Sequence, residues 1–475
     1  VSFTQPKIRG ALVFLACWLA SPAVAAEGLK ARLDAALAAP SLRGARVSAL
    51  VIDREEGKEL YARDPDRPMI PASNLKLLTA VAALEAFGPT HRFETEVLTE
   101  PAPDAGGAVE RLIVRGGGDP ALTSEDLWRL AADVRRAGVV RVRKGFLLDD
   151  GAFDRERWHP SWGPVSARAY HAPISALTVN YGAIGVTLIP GGAPGDPVRV
   201  MVDPPVPYFR VTNRATTGAS RASFALGVER RAGDGVENVV VSGVAPAGKP
   251  AQTVYRSVLD PTRYLGAVLR MQLEANGVRV GDGLASGSVP PESVPLLTFR
   301  GRTLGEIVRL FLKYSNNEIG EGLVKALAAR DSAAGASWKE GVDAVRAELE
   351  RAGIDTHRIR QVDGSGLSYE NRVSTRDLVA TLRIGTRSFR YGPELLAALP
   401  IAAADGTLEK RARGAANTVR AKTGLLTRVT GLSGLAQAAD GRVVIFAVLV
   451  NGFRGDATSA MDALDRFVAV LAPGA

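Results

Sequence analysis

The period of the apolar positions changes several times along the chain, and each change marks an element. Residues 27–39 (EGLKARLDAALAA) carry apolar side chains at helical spacing and stop at Pro40, which predicts a helix. Residues 45–53 (ARVSALVID) read as a strand, followed by a turn around Glu56-Gly57 and a second strand near 59–63. Pro71 to Phe87 predicts a helix closed by Gly88. From about 92 to 290, short strand-like runs alternate with Pro/Gly clusters such as GGAPGDP and SVPPESVP, the pattern of β-rich inserted subdomains. Residues 303–313 and 318–330 predict two helices around a polar kink at Ser315-Asn316-Asn317. Strands follow at 417–422, 430–438 and 443–450, with Asp440-Gly441 as a hairpin turn, then an amphipathic helix over 457–471. The run VVIFAVLV has no polar alternation, so it reads as a central strand covered on both faces. The strands at the two chain ends are expected to share one sheet, with the middle as an excursion.

Composition narrows the function classes. A chain of 475 residues implies two to four domains, and 46% hydrophobic with 23% charged residues implies a large core. The formal net charge is +9, but no basic block carries interleaved aromatics, which argues against nucleic-acid binding. The four His (His91, His159, His171, His357) have no ligand spacing and Cys17 is the single cysteine, so neither a zinc site nor a Cys/His protease is expected. Lys7 and Arg9, the apolar run Ala11–Ala20 and the small residues Ala23 and Ala25 read as a secretory signal over 1–25, cleaved near Ala25. An uncleaved anchor and lipidation at Cys17 are the competing readings. No later segment is apolar and long enough for a stable membrane span.

Three short motifs carry chemistry. Ser73 and Lys76 stand one helical turn apart on one face, and Lys76 is the only charge between Asn74 and Leu84. A lysine in an apolar helix loses its proton readily, and a neutral amine beside a hydroxyl is a general base. Taken alone, the pair is better explained by Ser73 as a helix cap with Lys76 reaching for water. Ser315-Asn316-Asn317-Glu318 could be a capping box for the next helix. Lys422-Thr423-Gly424 closes a strand, where Lys and Thr can hold a carboxylate and Gly permits close approach. GGGD at 116–119 lacks the Lys-Ser/Thr of a phosphate cradle, and no Gly-x-Ser-x-Gly elbow frames Ser73 for a triad with His171.

In this order the motifs resemble those of serine penicillin-binding proteins and related β-lactamases. The long first gap, filled with β-rich sequence, resembles the D-alanyl-D-alanine carboxypeptidase/endopeptidase branch. So do RGGGDPALTSEDLWRLA (115–131), APISALTVN (172–180), VDGSGLSYENRVS (362–374) and DGTLEKR (405–411). Tyr314-Ser315-Asn316 also fits the Tyr-x-Asn signature of serine β-lactamases, but the long insertion argues against that register.

The resemblance implies an α/β (α+β) penicillin-binding, β-lactamase-like fold with a central antiparallel sheet flanked by helices. The expected division is a catalytic domain over 26–91 and 290–475, an inserted domain II over 92–175 and 246–289, and an inserted β-rich domain III over 176–245. The implied reaction is hydrolysis of D-Ala-D-Ala termini and D-Ala cross-links in peptidoglycan stem peptides. It runs through an acyl-enzyme on Ser73, in the periplasm, and β-lactams inhibit it. Lys76 would be the base, and Ser315 with Lys422 would pass a proton to the leaving amine. Asn317 would hold the substrate amide. Thr423, beside Gly424, would hold the terminal carboxylate with Lys422. The N–H groups of Ser73 and Leu425 would form the oxyanion hole. The resemblance also assigns Asp149 as the acidic partner of a diaminopimelate-type side-chain amine. It places Tyr369 where relatives commonly carry an Arg, with Arg372 as the nearest cation. No metal or organic cofactor is implied. A β-lactamase-like hydrolase or esterase, and a non-catalytic cell-wall binding protein, are the alternatives.

Overall fold

The computed structural model describes residues 22–332 and 335–472. Most of the expected signal segment, including Lys7, Arg9 and Cys17, lies outside the described residues. The first described helix, Pro22–Leu37, begins five residues before the run read as helical in the sequence.

Five antiparallel strands form the central sheet, in the order Val419–Leu426, Val429–Gln437, Val443–Asn451, Arg46–Asp53, Glu59–Arg63. The strand read as central from VVIFAVLV is the middle one. The side chains of alternate residues enter two different cores. Leu50, Ile52, Ile445, Ala447 and Leu449 pack with Leu78, Val81 and Leu382 from the helices Lys76–Phe87 and Thr375–Arg387. Val51, Phe446, Val448 and Val450 pack with Leu33, Leu464 and Phe467 from Pro22–Leu37 and Ala457–Leu471. Both faces are covered, so the period of two disappears into one continuous apolar run.

Between its two halves the chain builds a second five-stranded sheet, ordered Leu284–Ser286, Phe146–Asp149, Arg111–Gly116, Arg92–Glu100, Val294–Thr303. The helices Ser124–Arg136 and Pro261–Ala275 share its core through Leu127, Leu130, Leu265 and Leu269. Two three-stranded sheets lie farther out, between Ala183 and Ser257. Strand pairing carries the second sheet to Thr303 and the three-stranded sheets to Ser257. The Pro/Gly clusters that suggested boundaries are turns inside these units.

Candidate active site

The helix anticipated from Pro71 opens with a tight 3₁₀ turn, Ala72–Leu75, and becomes α-helical at Lys76. Gly88 ends it with φ +77°. The turn is clamped on two sides. A Cβ on Gly424 would come within 2.5 Å of Asn74 Nδ2 and 2.9 Å of the Pro71 carbonyl oxygen. A Cβ on Gly366, itself at φ +81°, would overlap the Ala72 carbonyl. Gly424 makes its close approach to the turn that carries Ser73. Ala72 is held at φ +47°, a left-handed conformation that costs free energy in a non-glycine residue and persists only where packing enforces it.

Lys76 is fully buried. Its Nζ lies 3.0 Å from Ser73 Oγ, 2.7 Å from Asn317 Oδ1 and 2.7 Å from the Ser365 carbonyl oxygen. Burial pushes its pKa down to about 7, against the partial opposition of Glu321 and Asp363. The last two neighbours can only accept hydrogen bonds. A neutral amine has two N–H groups and one lone pair. Donating both to Asn317 and Ser365 leaves the lone pair facing the Ser73 hydroxyl, so the tripod aims the base.

Ser365 was not singled out as a site residue, although its segment was. Its carbonyl is placed by two buried carboxylates. Glu321 accepts from the N–H groups of Gly364 and Ser365 and from Trp338 Nε1. Asp363 accepts from the N–H groups of Gly366 and Ser368, from Asn371 Nδ2 and from Trp162 Nε1. Only the spacing of polar residues in VDGSGLSYEN hinted at such a knot.

Ser315 sits in the kink between the helices Leu304–Lys313 and Asn317–Ala329 at φ +57°. The capping-box reading of Ser315 and Glu318 is incorrect. Asn316 caps the second helix, its Oδ1 accepting from Ile319 N–H at 3.1 Å. Glu318 points into the protein, buried, with both carboxylate oxygens unpartnered among the described residues. The left-handed turn at Ser315 frees its Oγ to accept from Lys422 Nζ at 2.8 Å. Lys422 is fully buried, also donates to the Thr423 carbonyl at 2.7 Å, and is pushed well down by burial and then by Lys76. Asn317 Nδ2 donates to the Tyr170 carbonyl at 3.0 Å, tying the site to the insertion. Behind the kink, Lys313 donates to Asp405 and to the Leu399 carbonyl. Thr407, two residues on, shares a 2.8 Å bond with Thr423 Oγ1.

Lys422, Thr423 and Gly424 lie within Val419–Leu426, the edge strand of the central sheet. Ala421 N–H bonds the Pro400 carbonyl and Ala402 N–H bonds the Val419 carbonyl, so odd-numbered residues turn their backbone groups to the open edge. The same alternation directs the N–H of Thr423 and of Leu425 to that edge, beside the Ser73 turn.

The two residues assigned to the stem-peptide side chain fare differently. Asp149 is not among these groups: its carboxylate accepts from Gly151 and Val289 N–H and borders a cleft with Glu94, Glu96 and Arg115. Tyr369 is 45% exposed, and its hydroxyl reaches the Thr427 carbonyl at the end of the edge strand. Arg372 donates to the carbonyls of Tyr369 and Asn371, which turns its guanidinium into the loop. Among the described residues no cluster of three or more His, Cys, Asp or Glu could ligate a metal, and no helix is long and apolar enough to cross a membrane.

The D-Ala-D-Ala carboxypeptidase 3 (S13) family matches residues 29–471. A D-alanyl-D-alanine carboxypeptidase of Actinomadura sp. (strain R39) is 38% identical over 464 residues, covering 93% of this chain and 85% of that protein. The D-alanyl-D-alanine carboxypeptidase DacB of Haemophilus influenzae is 26% identical over 390 residues, 81% of each. The crystal structure of penicillin binding protein 4 (dacB) from Haemophilus influenzae has the same fold, with a TM-score of 0.77 at 24% identity over 92% of this chain and 97% of that one. A second crystal structure of that protein, complexed with a β-lactam, gives 0.74.

Proposed function

The chain belongs to the D-Ala-D-Ala carboxypeptidase 3 (S13) family, and from that premise we propose how its residues divide the work of a serine DD-peptidase. The neutral amine of Lys76 takes the proton of Ser73 as Oγ attacks the carbonyl of the penultimate D-Ala. The developing oxyanion is received by the N–H groups of Ser73 and Leu425. Ser315, hydrogen-bonded to Lys422, passes a proton to the leaving amine. Asn317 spans Lys76 and the substrate amide. Lys422 and Thr423 hold the terminal carboxylate, whose negative charge favours the protonated form of Lys422. Water then releases the acyl group from Ser73. The same steps apply to a D-Ala cross-link, and a β-lactam acylates Ser73 in place of substrate. The enzyme acts on peptidoglycan outside the cytoplasmic membrane, where stem peptides are found, with the segment before residue 26 as its export signal. Tyr369, lacking a charge, reduces preference for a side-chain carboxylate on the stem peptide.

The observation that carries this reading is the fully buried Lys76 amine, 3.0 Å from Ser73 Oγ, with two acceptor-only neighbours that aim its lone pair. Mass spectrometry after exposure to a labelled penicillin tests it. A stable adduct on wild type, absent from Ser73→Ala, is expected. An adduct on Ser73→Ala would refute the nucleophile, and rapid turnover of the label would indicate a β-lactamase-like enzyme.

A further inference from the structure

A cleft of about 790 Å³ opens beside Ser315 and Asn317 and runs away from Ser73 toward the insertion. Glu125, Tyr170, Asp203, Tyr255, Gln272 and Tyr314 line it. Separate hydrogen bonds tie one wall to the Ser315–Asn317 kink and to the strand that carries Tyr255. Asn317 Nδ2 donates to the Tyr170 carbonyl, Ser257 N–H donates to the Ala167 carbonyl, and Arg168 bridges Arg256 next to Tyr255. The floor contains Asn180 and Tyr181, held consecutively at φ +50° and +58°. Two left-handed non-glycine residues in a row carry a strain that clusters at ligand-binding sites. Three tyrosines of the lining are exposed: Tyr170 is 46%, Tyr255 63% and Tyr314 70% exposed.

A volume of this size suits a ligand of many heavy atoms and far exceeds one alanine. Its position decides which one. On the reading above, the leaving amine receives its proton at Ser315, and Tyr314 is the adjoining residue at the mouth. Past the residue whose carboxylate Lys422 and Thr423 hold, a longer group on that amine has this cleft as its adjoining space. In terminal trimming that is a single D-Ala. In cross-link cleavage it is a whole second stem peptide. A sugar would lie several residues farther along the chain, at roughly 3.3–3.6 Å per extended residue.

We propose that this cleft, built jointly by the Ser315 kink and the insertion, is the binding site for the peptide stem on the leaving side of a D-Ala cross-link. The tyrosine hydroxyls and the Gln272 amide donate to stem carbonyls and carboxylates, while Glu125 and Asp203 face its ammonium groups. This assignment rests on the Ser315 role stated above. It adds a second binding region that makes the enzyme selective for cross-links.

The test uses full-length enzyme with Tyr255→Ala, Asp203→Asn and the double variant. Three substrates are compared: a pentapeptide ending in D-Ala-D-Ala, a cross-linked peptide dimer, and the same dimer carrying its disaccharides. The expected result is that kcat/KM for the bare dimer falls about tenfold or more in the double variant, relative to kcat/KM for the pentapeptide. Equal loss on pentapeptide and dimer, or no loss on either, would overturn the proposal. Loss confined to the sugar-bearing dimer would also overturn it and assign the cleft to glycan. Penicillin labelling of each variant separates these outcomes from failure of the catalytic reading: if wild type takes no label, the Ser73 mechanism has failed and not the cleft.

Discussion

Two buried groups with displaced protons set the behaviour at the scale of single residues. Lys76 is pushed down to about 7 because burial disfavours its charge. Only the neutral amine can accept the Ser73 proton, so the rate of penicillin acylation is expected to rise with pH through about 7. Lys76→Arg should be nearly inactive, because a guanidinium stays charged. A flat rate from pH 6 to 9 in stopped-flow acylation would remove Lys76 from the role of base. Glu318 shows the opposite displacement. Burial first, and then Asp119 and Glu321, raise its pKa well above the usual carboxyl range. The folded state therefore keeps a proton that the unfolded chain releases near pH 4.5, and this opposes folding as pH rises above that value. Glu318→Gln keeps the shape without the charge. It is expected to have a higher Tm than wild type at pH 8, with the difference shrinking toward pH 4. An equal difference at both pH values would show that ionisation is not its cause.

At the scale of elements, two segments distant in sequence are forced against one turn. The 3₁₀ turn carrying Ser73 touches the edge strand at Gly424 and the 363–368 loop at Gly366. A side chain at Gly366 meets backbone, which cannot rotate away, and the positive φ adds strain. Gly366→Ala should cost about 1–3 kcal/mol of stability in urea unfolding. It should also slow acylation more than the stability loss explains, because it displaces both Ser73 and the Ser365 carbonyl. Normal acylation in a folded Gly366→Ala protein would show that the turn is not held from this side. These contacts also mark what could be read in advance. The helix start at Pro71, the Ser315 kink and the edge strand were legible because each is local: a proline, a polar break, a β-branched run closed by glycine. The left-handed angles at Ala72 and Ser315 were not, since neither residue favours them and only tertiary packing imposes them. The misreading of Ser315-Asn316-Asn317-Glu318 has the same origin. Two Asx/Ser candidates stood side by side, and the one whose side chain was needed elsewhere could not be the cap. Asp149 was carried by likeness of a short segment alone, and its carboxylate is used by local N–H groups.

For the molecule as a whole, the insertion is more than an appendage. Trp162 from the insertion donates to Asp363, and Ser161 donates to Ser368 at 2.7 Å, so the insertion buttresses the loop that positions Ser365. Trp162→Phe removes one donor to a buried carboxylate and shortens the packed ring, and is expected to cost about 1–3 kcal/mol. Chemical denaturation measures that loss, and an unchanged midpoint would show that the insertion lends the loop no stability. The central sheet has a further consequence for the order of events in making the protein. Arg46–Asp53 is hydrogen-bonded along its whole length to Val443–Asn451, at the other end of the chain. Lys422 likewise comes to Ser315 from the far side of the helices that follow the insertion. Synthesis proceeds from the N-terminus, so Ser73 emerges early and the segments that meet it emerge last. Loop closure over such separations also delays the pairing itself. A nascent chain thus carries Ser73 for most of its synthesis without a working site, and hydrolytic power arrives with the last strands.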